Sequence, residues 1–239
     1  MRKAFTEELQ FITDQLVELS RLSAAALRQA TEALMTGDLE LAESVISADE
    51  HIDAVRRDLD TRAVDALARQ QPVATDLRML VTAMRMSADL ERMGDLARHV
   101  AKVARLRYPA RVLGASLTPT FARMAEVAQD LVTEAGRIIR ENDVEAVSRL
   151  MVTDDEMDDL HREVFRTLLS EEWDSGVEAA IDATLLSRYY ERFGDHAVSV
   201  AHRVVYLVTG EWGADHLDID ERLDVTEVSQ PAGLTRPAG

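Results

Sequence analysis

Apolar residues recur every three or four positions along most of the chain, the spacing that places them on one face of an α-helix. The first such stretch, 4–36, ends at Gly37, and the second, 39–69, ends before Pro72. The same pattern continues at 73–107, 119–141, 143–172 and 177–211. Six long helices are therefore predicted, and the predicted fold class is all-α.

One turn-rich segment, from Pro109 to Pro119, separates the third predicted helix from the fourth. The other links are short, and short links favour antiparallel neighbours. The sequence therefore predicts two tandem three-helix bundles, residues 1–110 and 116–211. The remaining residues, 212–239, form an acidic tail that we predict to be disordered.

Short motifs repeat between the two predicted bundles. Glu91-Arg92-Met93-Gly94-Asp95 recurs as Glu191-Arg192-Phe193-Gly194-Asp195, and Asp49 and Asp53 recur as Asp154 and Asp158. Repetition at nearly constant spacing indicates an internal duplication, so the two bundles are predicted to carry equivalent sites. Glycine inside a helix costs about 1 kcal/mol relative to alanine, so its recurrence indicates close approach of a neighbouring helix or of a ligand, and we favour close helix packing.

The repeated motifs place carboxylates four residues apart, which brings each pair to the same face of a helix. Each pair borders the apolar stripe of its helix, so adjacent helices would present a cluster of oxygen atoms. Such clusters suit hard cations: Mg²⁺, Ca²⁺, Mn²⁺ or iron. We therefore predict that each bundle binds divalent or ferric ions through Asp49, Asp53, Glu91, Asp95, Asp154, Asp158, Glu191 and Asp195.

Salt bridges are the alternative explanation of these acids. The arginines available for them are Arg56, Arg92, Arg162, Arg188 and Arg192. The occurrence of the motif in both halves favours a shared ligand over this alternative. The spacing Asp158-x-x-His161 resembles that of ferritin-like di-metal sites, but the first half has no copy, so we interpret it as incidental.

Composition narrows the classes of function. The chain has 239 residues and no cysteine, which excludes disulfides, thiolate metal sites and cysteine nucleophiles. A net charge of −17 argues against binding to nucleic acid, which requires a basic surface. The N-terminus has no signal-peptide pattern and no apolar run is long enough to span a membrane, so we expect a soluble, cytoplasmic protein.

Positive charge is concentrated in one segment of this acidic chain. No Asp or Glu occurs between Asp95 and Glu126, whereas Arg105, Arg107 and Arg111 lie within that window. One interpretation is that cations gather at a helix C-terminus, where the helix dipole favours them. The other is that these three arginines form a docking patch for an acidic partner surface.

The motifs resemble those of the PhoU family. The resemblance is carried by Gln71-Pro72-Val73-Ala74-Thr75-Asp76-Leu77-Arg78, by both Glu-Arg-x-Gly-Asp motifs and by Val204-Val205-Tyr206-Leu207-Val208-Thr209-Gly210-Glu211. It implies a regulator without catalytic activity and with metal clusters on the bundle surface. Tyr189 stands where the first half has Asp89, so the two sites need not share one ligand set.

The same resemblance implies a set of partners. Members of this family couple the nucleotide-binding subunit of a phosphate ABC transporter to a sensor histidine kinase, and keep the phosphate-starvation response off when phosphate is plentiful. A homodimer is expected, and contact with the membrane is expected only through these partners.

An enzyme is the competing hypothesis. A helical di-metal oxidase or a phosphohydrolase could use the same acids, but either would require ligands that point into an enclosed pocket. The acids here border the apolar stripe of each helix instead of filling it, which favours the regulator.

Overall fold

The computed structural model of the protein describes residues 2–211, and these residues form six helices. The helices are α1 (Arg2–Thr36), α2 (Leu39–Gln70), α3 (Ala74–Arg107), α4 (Thr118–Glu141), α5 (Ala146–Leu168) and α6 (Gly176–Thr209). No strand occurs among the described residues, so the predicted all-α class is confirmed. The predicted tail, 212–239, lies outside the described residues.

Capping residues set the helix ends where the apolar pattern alone does not. The Asp38 side chain accepts a hydrogen bond from the Leu41 amide at 2.9 Å, which fixes the start of α2. Helix α5 spans Ala146–Leu168 and is shorter than the predicted 143–172, and Asn142, in a left-handed conformation, ends α4. The Asp143 carboxylate then accepts from the Ala146 amide at 3.2 Å, so helix α5 begins three residues later than predicted.

Each half packs as three helices around an apolar core. Helices α1, α2 and α3 contact one another, and so do α4, α5 and α6, as the duplication predicts. The links inside each half are short, and consecutive helices run antiparallel. Among the completely buried core residues are Leu16, Leu27, Leu59 and Leu90 in the first half and Phe121, Leu131, Val164 and Phe193 in the second.

The two halves pack against each other through α3 on α6 and α1 on α4. The completely buried Tyr190 shares a hydrogen bond of 2.6 Å with the Thr31 hydroxyl across this interface. At one end of the α3–α6 contact Arg107 donates to Asp182 and Glu178. At the other end Arg78 donates to the Leu207 carbonyl at 3.1 Å. The six helices thus form one body, and the division at 110–116 stays a prediction.

Among residues 2–211, no helix combines the length and the apolar character needed to cross a bilayer.

The Arg107 contact offers a test of the interface between the halves. The Asp182 side chain is only 9% exposed, so removal of Arg107 would leave a mostly buried carboxylate without its cation. We expect Arg107→Ala to lower the thermal unfolding temperature by several degrees. Arg105→Ala, at an exposed position two residues earlier, is the matched control and should leave the unfolding temperature unchanged. Equal effects of the two substitutions in calorimetry would contradict this role of Arg107.

Candidate functional site

The four predicted ligands of the first half lie on neighbouring faces of α2 and α3. The two helices approach closely at Gly94, where an added Cβ would lie 2.8 Å from Ile52 Cδ1 and 3.6 Å from Asp49 Oδ1. The negative charges of Asp95 and Asp53 both act on Asp49. The glycine therefore serves close helix packing, as predicted, and this packing brings the acids of the two helices together.

Arg98 lies between the two helices and binds an acid on each. Its Nη1 is 2.6 Å from Asp49 Oδ2, and its Nη2 pairs with Asp95 Oδ1. The Asp49 side chain is only 7% exposed, and this burial raises its pKa while the Arg98 charge opposes the rise. This role of Arg98 is not evident from the sequence alone, although the position of Arg98 three residues after Asp95 is the spacing of an intrahelical ion pair.

Two further arginines bind acids of the first half. Arg56 of α2 lies 3.2 Å from Glu91 on α3, and Arg92 lies 3.0 Å from Asp95 on its own helix. Burial is the main cause that raises the pKa of Glu91, and Arg56 opposes it. The acids of the first half therefore form salt bridges with Arg56 and Arg92, as the alternative explanation of the acidic motifs predicts. Arg98 forms a further salt bridge that this explanation did not include.

The second half repeats the close approach of the helices. A Cβ added at Gly194 would lie 2.8 Å from Asp154 Oδ1, so the carboxylate sits directly over the backbone of α6. Glu191 Oε1 pairs with Arg188, while Glu191 Oε2 is buried and has no hydrogen-bond partner. Burial, followed by the charge of Asp195, raises the pKa of Glu191 to about 7. An unpaired buried carboxylate oxygen is costly, and it marks a place where a cation would be stabilising.

His161 of α5 contributes a second unpaired polar atom. Its Nδ1 is buried and has no hydrogen-bond partner, and the imidazole also interacts with the backbone of Ser187. Burial lowers the pKa of His161 to about 4, so the ring is neutral at physiological pH. A neutral imidazole whose other nitrogen is held by the backbone is a suitable metal ligand.

The predicted ligands of each half are therefore neighbours, but the structure does not arrange them around a common point. Among residues 2–211, no three His, Asp or Glu side chains are grouped in positions that could hold a metal ion. Binding would require the carboxylates to rotate towards a shared cation. The metal assignment of all eight acids thus stays a prediction.

The three arginines of the predicted docking patch have different environments. Arg105 and Arg111 are exposed, and neither forms an ion pair within residues 2–211. Arg107 instead binds Asp182 and Glu178 of the other half, and its side chain is only 25% exposed. Arg107 thus forms ion pairs inside the protein, which the sequence alone does not predict.

The raised pKa of Glu191 predicts a pH-dependent stability. A carboxyl group whose pKa is higher in the folded protein costs nothing below its ordinary pKa of 4.5, and its full cost is reached above about pH 7. We therefore expect Glu191→Gln, measured with a chelator present, to raise the unfolding temperature at pH 8 and to change it little at pH 4.5. The exposed Glu171→Gln is the control. The same effect at both pH values would contradict a buried, charged Glu191.

Comparison with known proteins identifies the family. A family model described as "PhoU domain" matches residues 16–104 and 121–204, one match in each half. A "Phosphate-specific transport system accessory protein PhoU homolog 2" of Mycobacterium tuberculosis is 46% identical over 210 residues, which cover 88% of this chain and 99% of that protein. A "PhoU homolog 1" of Mycobacterium leprae is 44% identical over 215 residues, covering 90% of this chain and 97% of the relative.

Solved structures agree with this result. The crystal structure of PhoU from Pseudomonas aeruginosa superposes with a TM-score of 0.76 at 27% identity, and the match covers 87% of this chain and all of that one. The repeated acidic motifs, the six-helix architecture and these relatives lead to one conclusion: the chain belongs to the PhoU family.

Proposed function

We propose that this chain is an accessory protein of a phosphate transport system and regulates phosphate uptake from the cytoplasm. The observation that carries the proposal is the identity of 40 to 46% with relatives of that name, over nearly the whole length of each. In the finer form of the proposal, the protein couples the transporter's nucleotide-binding subunit to a sensor histidine kinase. It acts there as a negative regulator when phosphate is plentiful.

Action by docking requires exposed surface suited to a partner, and the end of α3 offers one. Arg105 and Arg111 are exposed there, and the apolar side chains between them, Leu106 and Tyr108, are 72% and 52% exposed. Arginine and aromatic side chains are the residue types enriched at protein interfaces. We assign this segment to contact with an acidic surface of the transporter subunit or the kinase.

Apolar side chains are also exposed at equivalent positions of α3 and α6. Leu77 and Val81 in the first half correspond to Val177 and Ile181 in the second, and their exposure ranges from 38% to 77%. Exposed apolar patches of this kind are typical of surfaces that become buried against other proteins. The homodimer expected from the family resemblance remains part of the proposal.

Catalysis is the less favoured alternative. Two of the best-formed clefts in the described part of the chain have volumes of about 310 and 340 Å³. They lie beside Arg62 and beside Arg149, and neither is lined by the predicted ligands. A di-metal oxidase or a phosphohydrolase would need its acids inside such a cleft. We therefore propose a regulator that is neither an enzyme nor a nucleic-acid-binding protein.

Metal binding belongs to the same proposal. The carboxylates of each half would supply oxygen ligands for Mg²⁺, Mn²⁺, Ca²⁺ or iron. A bound cation would neutralise acids that burial makes costly, and would thereby fix α2 against α3 or α5 against α6. Its role would be to stabilise the docking-competent surface.

Removal of metal provides the first test of this proposal. We expect a chelator to lower the unfolding temperature of the wild-type protein and added Mn²⁺ to restore it, because binding to the folded state alone is stabilising. Asp195→Asn should reduce the metal content measured by mass spectrometry and weaken the response to Mn²⁺, because it removes a ligand of one of the two sites. The exposed Asp174→Asn serves as the control. Identical melting curves of the wild-type protein with and without Mn²⁺ would refute metal binding.

The docking segment provides the second test. Because Arg107 holds the two halves together, it is left intact, and only Arg105 and Arg111 are changed to Glu. We expect this double variant to bind the purified nucleotide-binding subunit at least about tenfold more weakly, because a reversed charge at an interface costs several kcal/mol. Affinity is measured by calorimetric titration.

The matched control replaces two exposed arginines elsewhere, Arg28 and Arg140, by Glu. This control has the same change in net charge, so it should bind the subunit with wild-type affinity. If both double variants lose affinity equally, overall charge governs the interaction. If neither does, and a deletion strain carrying Arg105→Glu with Arg111→Glu still represses phosphate uptake normally, docking uses another surface.

A further inference from the structure

The contacts between α3 and α6 are reciprocal in position, although their chemistry differs. The second Glu-Arg-x-Gly-Asp motif follows the first by 100 residues, which defines the equivalent positions of the two helices. Arg107 pairs with Glu178, and Arg78 donates to the Leu207 carbonyl at 3.1 Å. Positions 78 and 178 are equivalent, and so are 107 and 207, so each contact becomes the other when the halves are exchanged. Reciprocal contacts of this kind indicate a two-fold relation between the halves.

The contact between α1 and α4 follows the same two-fold relation. Equivalent positions of these helices are 105 residues apart, and the completely buried Leu16 and Phe121 are one such pair. Gln129 is the equivalent of Ala24, and its side-chain amide donates to the Ala24 carbonyl at 2.8 Å. A residue that contacts its own equivalent lies beside the two-fold axis. The axis therefore passes between α1 and α4 and leaves the molecule through the middle of the α3–α6 pair.

Two apolar patches lie on the outward face of the α3–α6 pair, one at each end. On α3, the exposed Leu77, Val81 and Leu106 point within about 40° of one another. Because the two helices are antiparallel, the C-terminal member of each set lies beside the two N-terminal members of the other. Patch A therefore consists of Val177, Ile181 and Leu106, and patch B of the equivalent residues Leu77, Val81 and Tyr206.

Arginine side chains cover the face between the two patches. Arg92 is 64% exposed, whereas its ion-pair partner Asp95 is 16% exposed. In the second half Arg188 is 33% exposed and its partner Glu191 is 12% exposed. The exposed Arg85 adds a further positive charge. These arginines lie within about 80° of the apolar residues of their helices, so the centre of the face presents cations and keeps its acids beneath them.

This distribution of charge determines what can cover the face. A second copy of the chain, docked by the same surface, would bring its own arginines against these, and like charges across an interface cost several kcal/mol. A surface with an acidic centre and an apolar contact on either side is complementary. The face spans about 40 Å between the patches and is two helices wide, on the order of 800 Å², which is the area each partner contributes to a stable interface.

We propose that one chain docks across the two-fold axis of an acidic homodimer, with patch A on one subunit and patch B on the other. Two identical subunits present the same contact twice, related by a two-fold axis, as the patches are. This inference rests on the proposed docking function and adds its geometry and stoichiometry. The segment around Arg105 and Arg111 then forms the rim of patch A.

Docking at two places makes each patch depend on the other. Once one patch is bound, the second is held close to its own contact, and the total affinity exceeds that of either patch by about 10²- to 10⁴-fold. Loss of either patch therefore removes most of the affinity, although the two patches lie at opposite ends of the face.

A charge placed in each patch in turn tests the proposal. The probe is the nucleotide-binding subunit of the phosphate transporter, purified as a homodimer with a non-hydrolysable ATP analogue and titrated with the full chain in a calorimeter. Val81→Glu and Ile181→Glu should each weaken binding by about a hundredfold, because one of two linked contacts is lost. Val64→Glu and Leu169→Glu, at exposed apolar positions outside α3 and α6, are the controls and should bind like the wild-type protein.

The stoichiometry of the wild-type complex is a measurement that needs no variant. Analytical ultracentrifugation should find one chain for each homodimer of the subunit. This result tests the geometry even if one of the substituted proteins folds poorly.

The outcomes separate this inference from the docking function on which it rests. Two chains for each homodimer, or a loss of affinity with only one of the two substitutions, would overturn the two-fold geometry and leave docking intact. Failure of the wild-type protein to bind the subunit would overturn both. Self-association of the chain that Val81→Glu and Ile181→Glu abolish would assign the face to a second copy and overturn the acidic partner.

Discussion

A carboxylate at the edge of a packed helix face needs a positive charge within hydrogen-bonding distance, and this requirement organises both bundles and the contact between them. An ion buried without a partner costs several kcal/mol, which is a large part of the stability of a domain. The chain meets the requirement with arginines from neighbouring helices. Arg98 forms an ion pair with Asp49 inside the first half. Between the halves, Arg107 pairs with Asp182, and Arg203 of α6 pairs with Asp89 of α3.

Close helix packing buries these carboxylates, and burial makes their charged form unfavourable. At Gly94 and Gly194 the missing side chain lets α2 and α5 approach α3 and α6 until a carboxylate lies over the helix backbone. At Gly94 the same approach removes water from Asp49, which raises the pKa of this acid and strengthens its attraction for a cation. The close approach of the helices therefore determines both the packing of each bundle and the position of its acids. A bulkier residue at either glycine would push the helices apart and displace the acids.

Much of this fold could be predicted from the sequence, because helices of 23 to 35 residues show the apolar period many times over. The apolar pattern places the start of α5 three residues too early, because the Asp143 carboxylate accepts hydrogen bonds from the Glu145 and Ala146 amides and the chain turns there before the helix begins. The acidic residues could be predicted because their motif occurs twice in the sequence. The role of Arg98 could not, because it depends on the direction in which one long side chain points between two helices. Arg107 was assigned to a docking patch because its partner Asp182 lies 75 residues away in sequence.

The contact between α3 and α6 has lost the symmetry that a duplication would have given it. Arg107 meets Glu178 and Asp182, whereas the corresponding residues of the first half are Arg78 and Thr82. Two first halves placed face to face would therefore bring arginine towards arginine. Two second halves would instead place Leu207 opposite Glu178 and Asp182 and leave both acids without an arginine. Each half has thus become the complement of the other at this surface, and neither copy could take the place of its partner.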